Sequence, residues 1–248
     1  MRILPLCILS IAILFSSFSF CEDKTNYLSV EGALVWQSKN DQRIPGNTGT
    51  LFSLSDFDRG PFKAYRIYAG KRFNKKHEIR LLYAPLELKL TGEFNQAVNY
   101  MGRTFAAGVS TSAYYKFNSY RLTYAYHFDK IKDWELACGL SGKIRDAEVS
   151  LTQRGITEQK KNVGFVPLIN FQARRALHEK WAVSFDLDGL AAPQGRAFDA
   201  AFFLEHNIFA PEIIMFGGYR TVEGGANNDK VYNFAWFHYA VLGLKGFF

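Results

Sequence analysis

From Tyr120 to Phe128 the side chains alternate between two characters. Tyr120, Leu122, Tyr124, Tyr126 and Phe128 share one parity; Arg121, Thr123, Ala125 and His127 share the other. A β-strand points neighbouring side chains to opposite faces, so this period describes a strand with one apolar and one polar face. Trp181–Asp188 repeats it, with Trp, Val, Phe and Leu against Ala, Ser, Asp and Asp. Ten such runs are read, over residues 27–38, 63–73, 77–94, 111–128, 133–153, 161–176, 180–190, 196–207, 212–222 and 230–248. No segment after the first 21 residues approaches the roughly 18 uninterrupted apolar residues of a membrane-spanning helix. The chain therefore reads as all-β.

The connections between the runs alternate in length. Asn74–Lys76, residues 129–132, 177–179 and 208–211 are tight and polar or proline-bearing, whereas 39–62, 95–110, 154–160, 191–195 and 223–229 are mostly longer and rich in Gly, Asn, Gln and Thr. Short turns on one side and long loops on the other are the rhythm of a transmembrane barrel. With both termini on the periplasmic side, ten strands need five outer loops and four inner turns, which is the number read. The expectation is an antiparallel up-and-down β-barrel of ten strands; eight would remain if two short hairpins merged into loops. A soluble β-sandwich explains the alternation of side chains but not that of the loops.

Residues 1–21, MRILPLCILSIAILFSSFSFC, place one basic residue, Arg2, before an apolar run and then small residues at Ser16, Ser17 and Ser19. That order is a secretory signal peptide, with cleavage after Ser19 or Cys21 and a single barrel domain over 22–248. Lipidation at Cys21 is disfavoured by the bulky Phe20 before it. Of the 3 cysteines only Cys138 is certain to remain, so no internal disulfide follows. The 23 Phe, 13 Tyr and 4 Trp argue against disorder. The formal charge of +7 is not gathered into a basic patch with an accompanying motif, so nucleic acid is not expected as a partner.

The chain ends Tyr-Ala-Val-Leu-Gly-Leu-Lys-Gly-Phe-Phe. Stepping back by two from Phe248 gives Phe248, Gly246, Leu244, Leu242 and Ala240, an uncharged face. In this terminal strand, and in pattern over the rest of the chain after residue 21, the sequence resembles bacterial outer-membrane β-barrel proteins. It departs at Gly246, where that group commonly has an aromatic residue. The resemblance implies an outer-membrane location, contact with outer-membrane lipids, and passage through periplasmic chaperones to the barrel-assembly machinery, which would read Leu242, Leu244 and Phe248. Trp134 and Trp181 fall at the inner rim, Trp36 and Trp236 towards the outer one, as interfacial girdles require.

Fixing the lipid-facing parity assigns Glu31, Arg66, Arg72, Glu78, Arg80, Arg121, Glu135, Lys143, Asp186, Asp188, Asp199, Glu205, Arg220 and Lys245 to the lumen. Changes of apolar parity near Pro85 and near Arg145-Asp146 read as β-bulges. Hairpin arithmetic sets Asp199 beside Asp186 and Asp188 and opposite Arg220, Asp188 near Asn170, and Asp186 near Gln172. A belt of Lys143, Arg145, Asp186, Asp188, Asp199 and Arg220, with Asn233 at similar height, is expected. Asp186 and Asp188 lie about 7 Å apart along one face. Buried charges in a narrow barrel must pair, so the belt reads as a structural ion-pair core ahead of an ion path or an acid–base site. Asp186-Leu-Asp-Gly189 echoes the start of a calcium loop but lacks its downstream ligands, so neither a metal nor a cofactor is expected.

Ten strands is also the count in the omptin proteases, whose chemistry uses acids and a histidine at the outer rim. Here His77, His127, His178 and His206 fall at the inner end and His238 on the lipid-facing parity, so an outward hydrolase of omptin or lipid-deacylase type lacks a general base. No Gly-x-Ser-x-Gly or phosphate-binding loop occurs. A non-enzymatic structural or surface-interaction barrel is expected, with a narrow channel for small solutes or anions as the alternative. The apolar tract Leu51–Asp58 is expected to fold inward or across the mouth.

Overall fold

The computed structural model describes residues 25–129, 131–209 and 212–248; the leader lies outside the described residues. Ten strands run antiparallel, each beside the next: β1 Asn26–Arg43, β2 Phe62–Phe73, β3 in two pieces (His77–Ala84 and Glu87–Glu93), β4 Ser110–His127, β5 Trp134–Gln153, β6 Ile156–Ala176, β7 Trp181–Ala192, β8 Gly195–Phe209, β9 Ile213–Asn228 and β10 Val231–Phe247. β10 returns to pair with β1, from Tyr27 opposite Phe247 to Arg43 opposite Tyr232. Closure has a direct cause, because hydrocarbon offers no partner for an unpaired strand edge. Among the described residues no helix is long and apolar enough to cross a membrane; the crossing is made by strands.

Two connections at the outer end are long. Residues 44–61 carry a short strand, Phe52–Ser53, laid against β1, followed by a 3-10 turn, Leu54–Asp56. Residues 94–109 carry a small hairpin, Val98–Tyr100 with Arg103–Phe105. The other three connections correct the expected loop lengths. Gln153 pairs with Ile156, Ala192 with Gly195 and Asn228 with Val231, so 154–160, 191–195 and 223–229 are mostly strand closed by two-residue turns. At the first, Arg154 and Gly155 take φ of 52° and 79°, the paired positive values of a tight hairpin. Polar strand ends hydrogen-bond into a ladder in water as readily as apolar ones do in lipid, so composition alone mistook them for loops.

The expected bulges also need correction. β3 and β4 keep one register across Pro85, from Ala84 opposite Ser119 to Glu87 opposite Lys116, and β5 keeps its register across Arg145-Asp146. What changes is the surroundings. On β3, Glu78, Arg80, Leu82, Ala84, Leu86, Leu88 and Leu90 are all buried, on one unbroken parity. The inward face turns from charged to apolar, and the outward face from Ile79, Leu81 and Tyr83 to Glu87, Lys89 and Thr91. The inner half is an inverted protein with a polar core and an apolar coat; the outer half is an ordinary one standing in water. Its core gathers Val35, Phe52, Leu54, Leu88, Tyr100, Leu151 and Phe237, so the tract 51–58 folds inward. The register shifts that do occur lie at Gln37/Lys39 and Asn207/Phe209.

This boundary predicts a labelling pattern. In a Cys138→Ser background, Lys89→Cys should react with a membrane-impermeant thiol reagent on intact cells, while Leu81→Cys, which faces the hydrocarbon, should stay unlabelled. Equal labelling would remove the boundary.

Candidate functional site

Neighbouring strands deliver alternate side chains into the inner half of the barrel, where charges cannot reach bulk water and must satisfy one another. Asp199 on β8 is the hub. Its Oδ2 accepts from Arg66 Nη2 of β2 at 2.6 Å and Arg121 Nη2 of β4 at 3.0 Å, and its Oδ1 from Arg220 Nη1 of β9 at 2.6 Å. Arg220 Nη2 also donates to Glu31 Oε1 of β1 at 2.8 Å, and Arg66 Nε lies 3.6 Å from Glu31 Oε2. Arg121 Nη1 donates to Asp188 Oδ2. Arg80 donates to both oxygens of Asp186, at 2.5 and 3.3 Å. Asn170 Nδ2 bridges Asp186 Oδ1 and Asp188 Oδ1 at 3.1 and 3.2 Å, and Ser141 Oγ donates to Asp188 at 2.6 Å. Arg66, Arg80, Arg121 and Arg220 thus face Glu31, Asp186, Asp188 and Asp199, a neutral set drawn from both walls of the barrel.

Asp186, Asp188, Asp199 and Arg220 lie together in this belt. Asn170 stands opposite Asp188 and Gln172 opposite Asp186, and Asp188 opposite Asp199. Arg220 stands opposite Ala201, two residues from the expected place, and its long side chain closes that gap diagonally. Lys143 and Arg145 face inward at the upper edge of the belt: Lys143 stands opposite Arg121 in register and Arg145 opposite Ser119, while on β6 Lys143 pairs with Val166 and Asn170 with Gly139. Neither joins Asp186 or Asp188. Asn233 is higher still, with its Oδ1 accepting from the Ala226 backbone N–H. The partners that hairpin arithmetic missed are Arg66, Arg80 and Arg121. All three stood on the lumen parity, but they reach across the barrel, and no hairpin register reports a contact through its centre.

Below the belt, Glu78 accepts from Tyr27 Oη and sits 2.6 Å from His127 Nε2. A cavity of about 150 Å³ separates the belt from the inner mouth, lined in part by Arg72, Glu135, Glu205 and Lys245. Above it, the apolar core and the two long connections fill one side; Tyr100 Oη donates to the Val149 carbonyl at 2.8 Å and Gln153 Oε1 accepts from the Ala106 N–H at 2.8 Å. Among the described residues no cluster of His, Cys, Asp and Glu is arranged to hold a metal ion.

On the outside, Leu122, Leu140, Phe202, Leu242 and Leu244 form an exposed apolar coat. Trp134 and Trp181 lie at its inner edge, Trp36 and Trp236 towards its outer one, all four exposed. Cys138 is also exposed. Phe248 exchanges backbone hydrogen bonds with Asn26, and Lys245 turns inward, its Nζ 4.0 Å from the Tyr27 ring centre.

A closed barrel with an apolar coat, aromatic rims and a neutralised ionic interior is a bacterial outer-membrane β-barrel protein, and the outer membrane is its location. No family model matches the chain, and no curated protein matches its sequence. Among solved structures it is similar to the outer membrane protease OmpT from Escherichia coli, at a TM-score of 0.53 and 11% identity over 94% of this chain and 99% of that one. Neisserial surface protein A aligns at a TM-score of 0.33 and 16% identity, covering 90% and 97% of the two chains. The attachment invasion locus protein Ail of Yersinia pestis aligns at 0.36 and 9%, covering 88% and 99%. At 11% identity the likeness to OmpT is one of fold alone.

Removing one partner from a buried ion pair costs about 3–5 kcal/mol, because the other charge is left uncompensated. Asp199→Ala strands parts of three guanidiniums and is expected at or above that range. Asp186→Ala, whose side chain is 23% exposed, is expected to cost less. Urea unfolding of barrels refolded in lipid vesicles measures both, and reversed ranking would displace Asp199 from the hub.

Proposed function

We propose that this protein is a non-conducting scaffold barrel that holds a rigid outer surface above the membrane for interaction. The belt supports this most directly: Asp199 bonded to arginines from three strands ties opposite walls together across the lumen. The apolar packing of residues 44–61 and 94–109 narrows the outer half as well. The surface on offer comprises the long connections and the extended hairpins of β5–β6, β7–β8 and β9–β10. A channel for small anions is the competing function, and planar-bilayer recording on purified protein decides between them. Silence is expected at neutral pH, with brief openings in Asp199→Ala; steady wild-type conductance would overturn the scaffold reading.

A hydrolase acting on outer-leaflet lipid has one observation in its favour. On the outward face His238 Nε2 lies 2.9 Å from Ser38 Oγ, and its Nδ1 lies 2.5 Å from Tyr219 Oη, beside the register shift of β1. A Ser–His pair usually relies on a carboxylate to stabilise the imidazolium, and the bonded third group here is a phenol. Mutual hydrogen bonding of polar tips within the girdle of Trp36 and Trp236 accounts for the trio. A chromogenic acyl ester hydrolysed by wild type but not by Ser38→Ala would restore the hydrolase.

The terminal strand, with Leu242, Leu244 and Phe248 facing outward, is taken as the signal read by the barrel-assembly machinery after escort by periplasmic chaperones. Deleting Phe248 should reduce assembly in cells more than refolding in detergent. Equal loss in both assays would make it a packing residue instead.

A further inference from the structure

The barrel wall is not continuous at every height. β6 and β7 are hydrogen-bonded from Ala176 opposite Ala182 up to Ile169 opposite Gly189, and no further. Beyond that level β6 runs on to Ile156 beside β5, and β7 runs on to Ala192 beside β8. The facing edges of β6 and β7 part above Ile169. Pro167 stands on the parted edge of β6, where a residue without an N–H is tolerated. Outside, Val163 and Phe165 flank the parting and are 69% and 70% exposed, a pair of bare apolar side chains on the coat.

Behind the parting lies a cavity of about 370 Å³, bounded by Phe165, Val166 and Pro167 of β6 and by Leu190 and Ala192 of β7, with Lys143 and Arg145 on its wall. Its volume falls in the range of small-molecule sites, about 300–1,000 Å³. The other charged residues on its wall are paired: Lys116 with Asp146 at 2.9 Å and Arg196 with Glu223. Lys143 is 4% exposed; its ammonium faces the Phe117 ring, 4.5 Å from the centre, and among the described residues no carboxylate stands within ion-pair distance of it, Asp199 lying beyond that on the wall of a smaller cavity that Lys143 also lines. Arg145 donates through Nη2 to Asn162, and its Nε is buried without a partner. The belt below balances four guanidiniums against four carboxylates without either residue. Two basic side chains without an ion-pair partner therefore sit on the wall of a largely apolar chamber that lies behind the parted strands.

We propose that this chamber binds a single-chain anionic amphiphile, its carboxylate or phosphate head on Lys143 and Arg145 and its apolar chain leaving between β6 and β7 into the bilayer. The occupant supplies the charge that Lys143 lacks. Its chain covers the apolar rim at Phe165 and Val166, and the bilayer is its source.

The test uses the chain from residue 22 refolded in lipid nanodiscs, with a dansyl-labelled undecanoate as the probe. Saturable fluorescence enhancement is expected. Lys143→Met should weaken it about ten- to a hundredfold, the worth of a charge-assisted hydrogen bond, and Lys143→Arg should keep it within a few-fold. Methionine suits an apolar wall, so that variant should fold, and its thermal transition checks this. Absence of saturable binding, or equal affinity in folded Lys143→Met, overturns the site. The continued register sets Val166 opposite Ala192. In a Cys138→Ser background, Val166→Cys joined to Ala192→Cys by a bifunctional thiol cross-linker that bridges the parting should stop uptake of probe preloaded into the bilayer; undiminished uptake in the cross-linked protein overturns the sideways route. Dodecyl phosphate should displace the probe far better than butyl phosphate, which is water-soluble. Equal displacement by the two overturns the bilayer source.

Discussion

Hydrocarbon cannot hydrogen-bond a peptide group, and the rest of this structure is arranged around that fact. Each unsatisfied N–H or C=O in a bilayer core costs several kcal/mol, so β10 must find β1 and the strands must pair through most of the apolar coat. The pairing of Asn26 with Phe248 at one end and Arg43 with Tyr232 at the other spans the full seam. The chain departs from that pairing at two places. β6 and β7 separate only above the belt, next to a proline that has no donor to lose. The two long connections at the outer end turn inward to build a water-side core.

Closure creates a second problem. A ten-stranded barrel encloses a space only modestly wider than side chains can fill, and one parity of every strand must point into it. Arginine suits that interior because its planar fork can serve two carboxylates at once without losing its charge. Arg220 holds Asp199 and Glu31, and Arg121 holds Asp199 and Asp188. Each ion is costly to bury, yet four of each sign in mutual contact leave no net charge to solvate. Such networks are a weak source of stability and a strong source of register: a one-residue slip of any participating strand would send its ion to the lipid.

The exchange of inner and outer character along β3 gives the molecule two halves built on opposite rules. Up to Ala84 the inward residues are mostly charged or small and the outward ones apolar; beyond Leu86 the inward ones are Leu88 and Leu90 and the outward ones Glu87 and Lys89. Water outside the upper half restores the ordinary hydrophobic effect, and apolar side chains move inward. Lys143 and Arg145 occupy the junction, at the upper edge of the belt but in ion-pair contact with none of its carboxylates, and beside the chamber of the upper half. Their position is a consequence of this changeover.

The sequence by itself determined the strand count, the antiparallel order, the faces and the lipid-facing terminus, because a period of two is local and survives without any knowledge of neighbours. Asp188 beside Asn170 and Asp199 was legible for the same reason, since hairpin register follows from the length of the turn. Tertiary structure decided what depends on closing the circle. Arg66 and Arg121 meet Asp199 from the far side of the lumen, at separations of 133 and 78 residues, where no local pattern reaches. It also decided that the parity change at Pro85 is a passage from lipid to water with the register intact. A strand reports which side chains share a face; only the assembled barrel fixes what that face touches.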